Sequence, residues 1–348
     1  MLAELLNSAV DLRATDVHIE PTEEQFRIRM RIDGQLLPGR TLPTGEGRQL
    51  ISIIKVESGM DVAQRMLPQD GSFHKVVAGR HFDLRAASQP SILGEKLALR
   101  LLPCEPLSLD LGELGMPQAM AEEFSRMVLR RQGLLLVTGP TGSGKTTTLY
   151  AALHLLDRSR VNIMTLEDPV EYRLADVVQT QVNYRSGLDF ATGLRGLLRQ
   201  DPDVVLVGEI RDAETAAISV RAAMTGHLVM ATMHSLTARG AVNRLLEMNC
   251  ARYQVAGALN GVLAQRLVRR PCTCKKGCQR CMGSGWFGRV GIFELLNVTG
   301  PCRQAILTGN EPNPPKPTLL DDCLHKVEQG RTTSDELTRI ALEMEGHV

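Results

Sequence analysis

One stretch constrains this chain more than any other: an apolar run, Gly133 to Val137, passes through a glycine-rich turn into a good helix-forming segment, Thr147 to Leu156. A run that short and that uniformly apolar suits a strand buried on both faces, as in a parallel sheet flanked by helices. The turn reads Gly139-Pro-Thr-Gly-Ser-Gly144-Lys145-Thr146, the G-x-x-x-x-G-K-[ST] pattern in the strand-to-helix context that gives it meaning. Its glycines let the backbone wrap a phosphate, and its N–H groups and the helix N-terminus stabilise negative charge. Lys145 can reach the β- and γ-phosphates and Thr146 can ligate Mg²⁺, so Gly139, Pro140, Thr141, Gly142, Ser143, Gly144, Lys145, Thr146 and Thr147 are the expected nucleotide-binding residues.

Hydrolysis needs more than a cradle. Glu167-Asp168 follows the apolar stretch Val161 to Leu166, and Glu209 follows Val204 to Val207, which places both acidic sites at carboxyl ends of predicted parallel strands. Ligands bind at that edge of open α/β sheets. One carboxylate there can hold Mg²⁺ through water while the other orients or deprotonates the attacking water. A plainer alternative makes Glu209 a surface partner of Arg211. His227 and His234 flank the apolar stretch Leu228 to Met233; His234 can contact the γ-phosphate, or either can be structural.

With 348 residues the chain exceeds the size at which a single core usually stops growing, so two domains are expected. Residues 25–33 alternate, with Phe26, Ile28, Met30 and Ile32 on one face and Arg27, Arg29 and Arg31 on the other. Asp33-Gly34 then marks a turn. A helix near 46–58 and strands near 72–77, 80–87 and 95–102 complete an α+β domain over 1–104. Pro103 and Pro106 bracket a linker, 105–111, and the pattern over 112–348 becomes strands separated by helices. Thr333 and Glu336 give a capping-box signal for a last helix, after a proline-rich loop at 310–317.

Four of the eight cysteines, Cys272, Cys274, Cys278 and Cys281, fall within ten residues, a set that can supply four thiolates to a structural Zn²⁺. Free thiols are the alternative. Arg269, Arg270, Lys275 and Lys276 form a basic patch around them that can face anionic lipid or simply water. A net charge of +1 and 3% aromatic residues argue against nucleic acid as a partner. Neither a membrane-length apolar run nor a signal peptide is present, and a cytoplasmic protein is expected.

The motifs beyond the phosphate loop resemble those of the secretion ATPase superfamily, in the branch that powers type II secretion and type IV pilus assembly. Thr165-Leu-Glu167-Asp168-Pro-Val-Glu171-Tyr172 resembles its aspartate box, Leu198 to Asp203 leading into Val207-Gly208-Glu209-Ile-Arg211-Asp212 its Walker B, and Thr225-Gly226-His227 through Thr232-Met233-His234 its histidine box. Upstream, Ala14 to Pro21, Arg29 to Gly34 and Leu67 to Gly71 resemble its N-terminal PAS-like domain. The cysteine cluster resembles the family's tetracysteine motif, with the first pair compressed to C-x-C and a short intervening loop. Many relatives carry a further N-terminal domain that docks on the membrane platform, and this chain begins after the corresponding point.

The resemblance implies an α/β fold: a RecA-like P-loop core, a smaller PAS-like α+β domain, and a small tetracysteine zinc element at 271–282 counted with the second domain. It implies an ATP-hydrolysing hexameric motor, with ATP between the two domains. Its partners would be an inner-membrane platform protein and cytoplasmic domains of the secretion or pilus machinery, and it would lie peripheral to the bacterial inner membrane. It further implies Glu167 as general base, Glu209 as ligand to a Mg²⁺-bound water, and Arg85 and Arg100 as arginines that reach a neighbouring subunit's nucleotide. A pilus retraction motor is the alternative within the superfamily, though those relatives lack the tetracysteine motif; a nucleotide-gated scaffold with little turnover and a DNA translocase are alternatives of other classes.

Overall fold

The computed structural model describes residues 1–104, 110–274 and 277–345. The chain divides into two compact units: Met1–Pro106 with Glu171–Arg173 and Pro271–Gly288, and Leu107–Val170 with Leu174–Arg270 and Arg289–Val348.

In the first unit the order is α1 (Leu2–Asp11), β1 (Ala14–Pro21), β2 (Gln25–Ile32), β3 (Gln35–Pro43), α2 (Thr44–Glu57), β4 (Gln69–Val77), β5 (Arg80–Ser91) and β6 (Gly94–Pro103). The strands form one antiparallel sheet in the order β3-β2-β1-β6-β5-β4. Alternation in β2 buries Phe26, Ile28, Met30 and Ile32 against Leu5 and Leu6 of α1 and Leu50 and Ile54 of α2. Two hairpins turn through consecutive positive-φ residues, Asp33-Gly34 and Ala78-Gly79, whose twist matches the flanking strands.

The cysteine segment was expected with the second domain, but it packs with the first unit. Met282 lies on that unit's core, and the Gly288 N–H donates to the Asp33 carboxylate at 2.9 Å. Phe287 is held between the Arg13 and Arg280 guanidiniums, each 3.6 Å from the ring centre. No spacing rule marks those distant partners in the sequence.

The second unit runs α3 (Gln118–Val128), β7 (Gly133–Thr138), α4 (Lys145–His154), β8 (Ile163–Glu167), β9 (Val178–Gln181), α5 (Phe190–Leu197), β10 (Val204–Val207), α6 (Ala213–Met224) and β11 (Leu228–Met233). It continues through α7 (Ala238–Glu247), α8 (Arg252–Ala258), β12 (Leu259–Pro271), β13 (Trp286–Asn297), α9 (Gly300–Thr308), α10 (Leu319–Glu328) and α11 (Ser334–Glu345). The sheet order is β13-β12-β7-β11-β10-β8-β9, and β12, β7, β11, β10, β8 and β9 are mutually parallel. Every residue of β7, β8, β10 and β11 is buried, as the uniformly apolar runs demand.

Two details of the second unit correct expectations. Thr333 does not cap α11 through its side chain: its Oγ1 is buried with no hydrogen-bond partner among the described residues. Glu336 instead turns inward, accepting from the Arg269 N–H and Nε at 2.9 Å and from Arg339 Nη2 at 2.8 Å. Arg269 is thereby removed from the expected basic patch, and Lys275 and Lys276 lie outside the described residues. A reciprocal capping box forms one helix earlier, between Thr318 and Asp321.

Candidate active site

The phosphate loop joins the carboxyl end of β7 to α4. Gly139 has φ 154°, and a Cβ there would sit 2.4 Å from the Gln265 carbonyl oxygen; Gly144, with φ 87°, caps α4. These are backbone conformations and approaches that a side chain would prevent. The first-turn N–H groups of α4 have no acceptor within the helix and point back over the loop. Ser143 Oγ is buried among them with no hydrogen-bond partner among the described residues. Cradle, free donors and orphaned hydroxyl together fit a bound phosphate chain, and Thr146 stands in the first helical turn where a Mg²⁺ ligand belongs.

Lys145 Nζ donates to the carbonyls of Gly139 and Pro140 at 2.8 and 2.9 Å. Burial draws its ammonium down to about 8; the Glu209 carboxylate opposes that shift and Arg266 adds to it. Glu209 thus bears on that lysine electrostatically. At the end of β10 it accepts from Arg211 Nε at 2.8 Å and lies 2.9 Å from His234 Nε2. The plain Arg211 contact is real, but it engages one carboxylate oxygen while the other meets the histidine.

Glu167 differs. It is 2% exposed, and its carboxylate accepts from the Tyr150 hydroxyl, from Thr165 Oγ1 at 2.5 Å and from Gln179 Nε2 at 3.1 Å. These partners come from α4, β8 and β9, so Glu167 ties the phosphate-loop helix to the sheet edge. Asp168 beside it is outside, near Tyr184 and Arg211.

The two histidines separate. His234 leaves the carboxyl end of β11 with Glu209, whereas His227 precedes the strand, at the opposite edge of the sheet, with Nδ1 3.1 Å from the Ala222 carbonyl. A six-residue strand puts roughly 20 Å between them. His227 thus stands away from Glu209 and His234.

Within the first unit, Arg85 and Arg100 are cross-strand partners on β5 and β6, and Arg100 is in turn paired with Asp16 on β1. Arg100 Nε donates to Asp16 at 2.9 Å and Arg85 Nε lies 3.4 Å from Asp83. Burial would raise the Asp16 carboxyl, but the bonds from Arg100 and Thr15 outweigh it and hold it below its usual value. The result is a polar row on the sheet face away from the helices.

The four sulfurs of Cys272, Cys274, Cys278 and Cys281 lie within 4.8 Å of one another, with separations of 3.7 to 3.9 Å for three of the pairs. Four sulfurs around a tetrahedral Zn²⁺ at ~2.3 Å stand ~3.8 Å apart, so the donor set fits despite its compressed spacing. Left-handed backbone at Met282 and Gly283 closes the second pair into a knuckle, with the Cys278 N–H donating to Cys281 Sγ at 3.1 Å.

Three contributors have no role assigned from the motifs. Gln265 of β12 accepts from Thr148 Oγ1 at 2.7 Å and donates to the Ser143 carbonyl at 2.8 Å, stitching the phosphate loop to the next strand. Arg266 beside it is 3% exposed. Glu294 of β13, 4% exposed, accepts from the Ala238 and Leu319 N–H groups and so caps α7 and α10 together. The available signal was a polar pair, Gln265-Arg266, interrupting the apolar run of β12.

A model of the family described as "Type II/IV secretion system protein" matches residues 1–339. The chain is 42% identical to the type II secretion system ATPase E of Vibrio cholerae, over 99% of this chain and 75% of that protein. It is 40% identical to the type IV pilus assembly ATPase PilB of Thermus thermophilus, over 95% of this chain and 41% of that protein. Among solved structures it is similar to the pilus retraction motor PilT with bound ADP, with a TM-score of 0.67 and 27% identity over 97% of this chain and 96% of that one.

Proposed function

The chain belongs to the type II/IV secretion system protein family, and from that premise we propose that its phosphate loop, Glu209 and His234 form the hydrolytic centre of an ATP-driven motor for pseudopilus or pilus assembly. The observation that carries the assignment of roles is the placement of Glu209 just past the carboxyl end of β10, where its carboxylate is partly exposed and lies 2.9 Å from His234 Nε2. Gly139 to Thr147 bind the phosphates, with Lys145 leaving its two loop carbonyls for phosphate oxygens.

Mg²⁺, when bound, supplies charge neutralisation between the β- and γ-phosphates; Thr146 would hold it directly and Glu209 through water. The role of general base, expected of Glu167, passes to Glu209 in this reading. Glu167 is almost fully buried, so water reaches its carboxylate only if that network opens, whereas Glu209 is partly exposed and its two partners, Arg211 and His234, lie at the surface. His234 keeps Glu209 oriented and stands next to it at the strand edge.

Arg85 and Arg100 act from the first unit on the nucleotide of a neighbouring subunit, within a homohexamer that works on an inner-membrane platform protein. Cys272, Cys274, Cys278 and Cys281 hold a structural Zn²⁺ that fixes the segment carrying Phe287 and Gly288 to Asp33 and Arg13.

The test is ATPase rate per subunit against protein concentration, with Lys145→Ala as control. A rate that rises with concentration and vanishes in the variant supports shared sites in a ring. Tight ATP binding with turnover no higher than the variant's would make the chain a nucleotide-gated scaffold. Metal analysis of protein purified without added zinc or chelator is expected to give about one Zn per chain; much less would remove the zinc assignment.

A further inference from the structure

Arg266 takes no part in the motifs discussed above, yet its surroundings are unusual. It lies on β12 with 3% exposure, and its fork spans two carbonyls: Nη1 donates to Gln265 O at 3.0 Å and Nη2 to Leu236 O at 2.8 Å. Nη1 also borders the phosphate loop, since a Cβ on Gly139 would come within 3.2 Å of it. Leu236 lies two residues after His234, in the link to α7 that Glu294 caps from the other side.

Among the described residues no carboxylate reaches ion-pair distance of Arg266; Glu343 and Glu294 act on it only from further away. A buried cation held by carbonyls alone is destabilising unless something negative approaches it. Stability alone therefore does not account for an arginine here. The planar fork suits a bridge between two backbone segments, which a lysine cannot reproduce.

We propose that Arg266 is a positioning residue for ATP hydrolysis: its guanidinium ties β12, alongside the phosphate loop, to the Leu236 segment that follows His234, and its charge lies behind the loop to favour the nucleotide's negative phosphates. The inference rests on the phosphate-loop reading above. It separates two effects within one side chain, since the charge acts on binding and the two-pronged bridge acts on the alignment of His234 with Glu209.

The experiment compares Arg266→Met and Arg266→Lys with wild type in the full chain, measuring thermal stability, ATP and ADP affinity by calorimetry, and kcat and KM. Arg266→Met is expected to be as stable as wild type or more so, to bind ATP about tenfold or more weakly, and to lose less affinity for ADP than for ATP. Arg266→Lys, which keeps the charge and loses the bridge, is expected to retain KM while kcat falls about tenfold or more.

Wild-type kinetics in Arg266→Met would overturn the proposal. So would a stability loss accompanied by equal weakening for ATP and ADP, the signature of a purely structural residue. If Arg266→Met fails to fold, Arg266→Lys decides: unchanged kcat, or KM and kcat falling together with stability, refutes it. Lys145→Ala serves as the independent control, because unaltered ATP binding in that variant would sink the phosphate-loop reading rather than the role of Arg266.

Discussion

The ends of β8 and β10 look alike in the sequence: each is an apolar stretch closing on a glutamate at the carboxyl edge of a parallel sheet. In the fold they diverge. Glu209 is partly exposed, and its oxygens meet His234 and Arg211. Glu167 is enclosed by Tyr150, Thr165 and Gln179. A hydroxyl two residues back on the same strand and a tyrosine from the second turn of α4 occupy the Glu167 carboxylate and tie helix to sheet. Two carboxylates at like strand ends thus differ in how deeply they are buried and in which groups hold their oxygens.

The largest effect that can break this comparison is Glu209→Gln. It is expected to lower kcat about 10³-fold with ATP affinity little changed, since general-base loss acts on the transition state more than on binding. Single-turnover hydrolysis beside equilibrium ATP titration checks it. A kcat within a few-fold of wild type would return the base role to Glu167.

Next in size is a buried carboxylate held by cations. Burial alone would raise Glu336, but the bonds from Arg339 and Arg269 outweigh it and hold it at about 2. Its folded value lies below its unfolded one, so its contribution is complete above about pH 4.5 and is lost as pH falls toward 2. That contribution is about 3 kcal/mol, and denaturant titrations across this window should show it in wild type and not in Glu336→Gln. Equal acid sensitivity in both proteins would remove Glu336 as the cause.

Glu167→Gln is expected to have a smaller effect, destabilising the chain by about 2 kcal/mol because one carboxylate acceptor becomes a donor facing donors. Turnover should fall less than tenfold in the same variant. Calorimetric melting together with kcat decides: full loss of turnover at an unchanged melting temperature would make Glu167 the base and reverse the comparison.

Much of this was legible before any coordinates. The alternation of residues 25–33, the Asp33-Gly34 and Ala78-Gly79 turns and the strand-turn-helix around Gly139 all appear where local pattern predicts them, because side-chain period, turn chemistry and glycine conformation are properties of a few adjacent residues.

Other features depended on residues far apart in the chain. That Thr333 fails to cap, that Glu336 turns to Arg269, and that the cysteine segment joins the first unit through Asp33 and Arg13 are matters of which neighbours packing brings near. The sequence by itself determined the phosphate loop, the parallel sheet that presents it and the two candidate glutamates. Only the tertiary structure decided that Glu167 is enclosed while Glu209 stays partly exposed, and that Arg266 has no carboxylate at ion-pair distance among the described residues, because hydrogen bonding and desolvation are set by contacts between strands and helices and have no local signature.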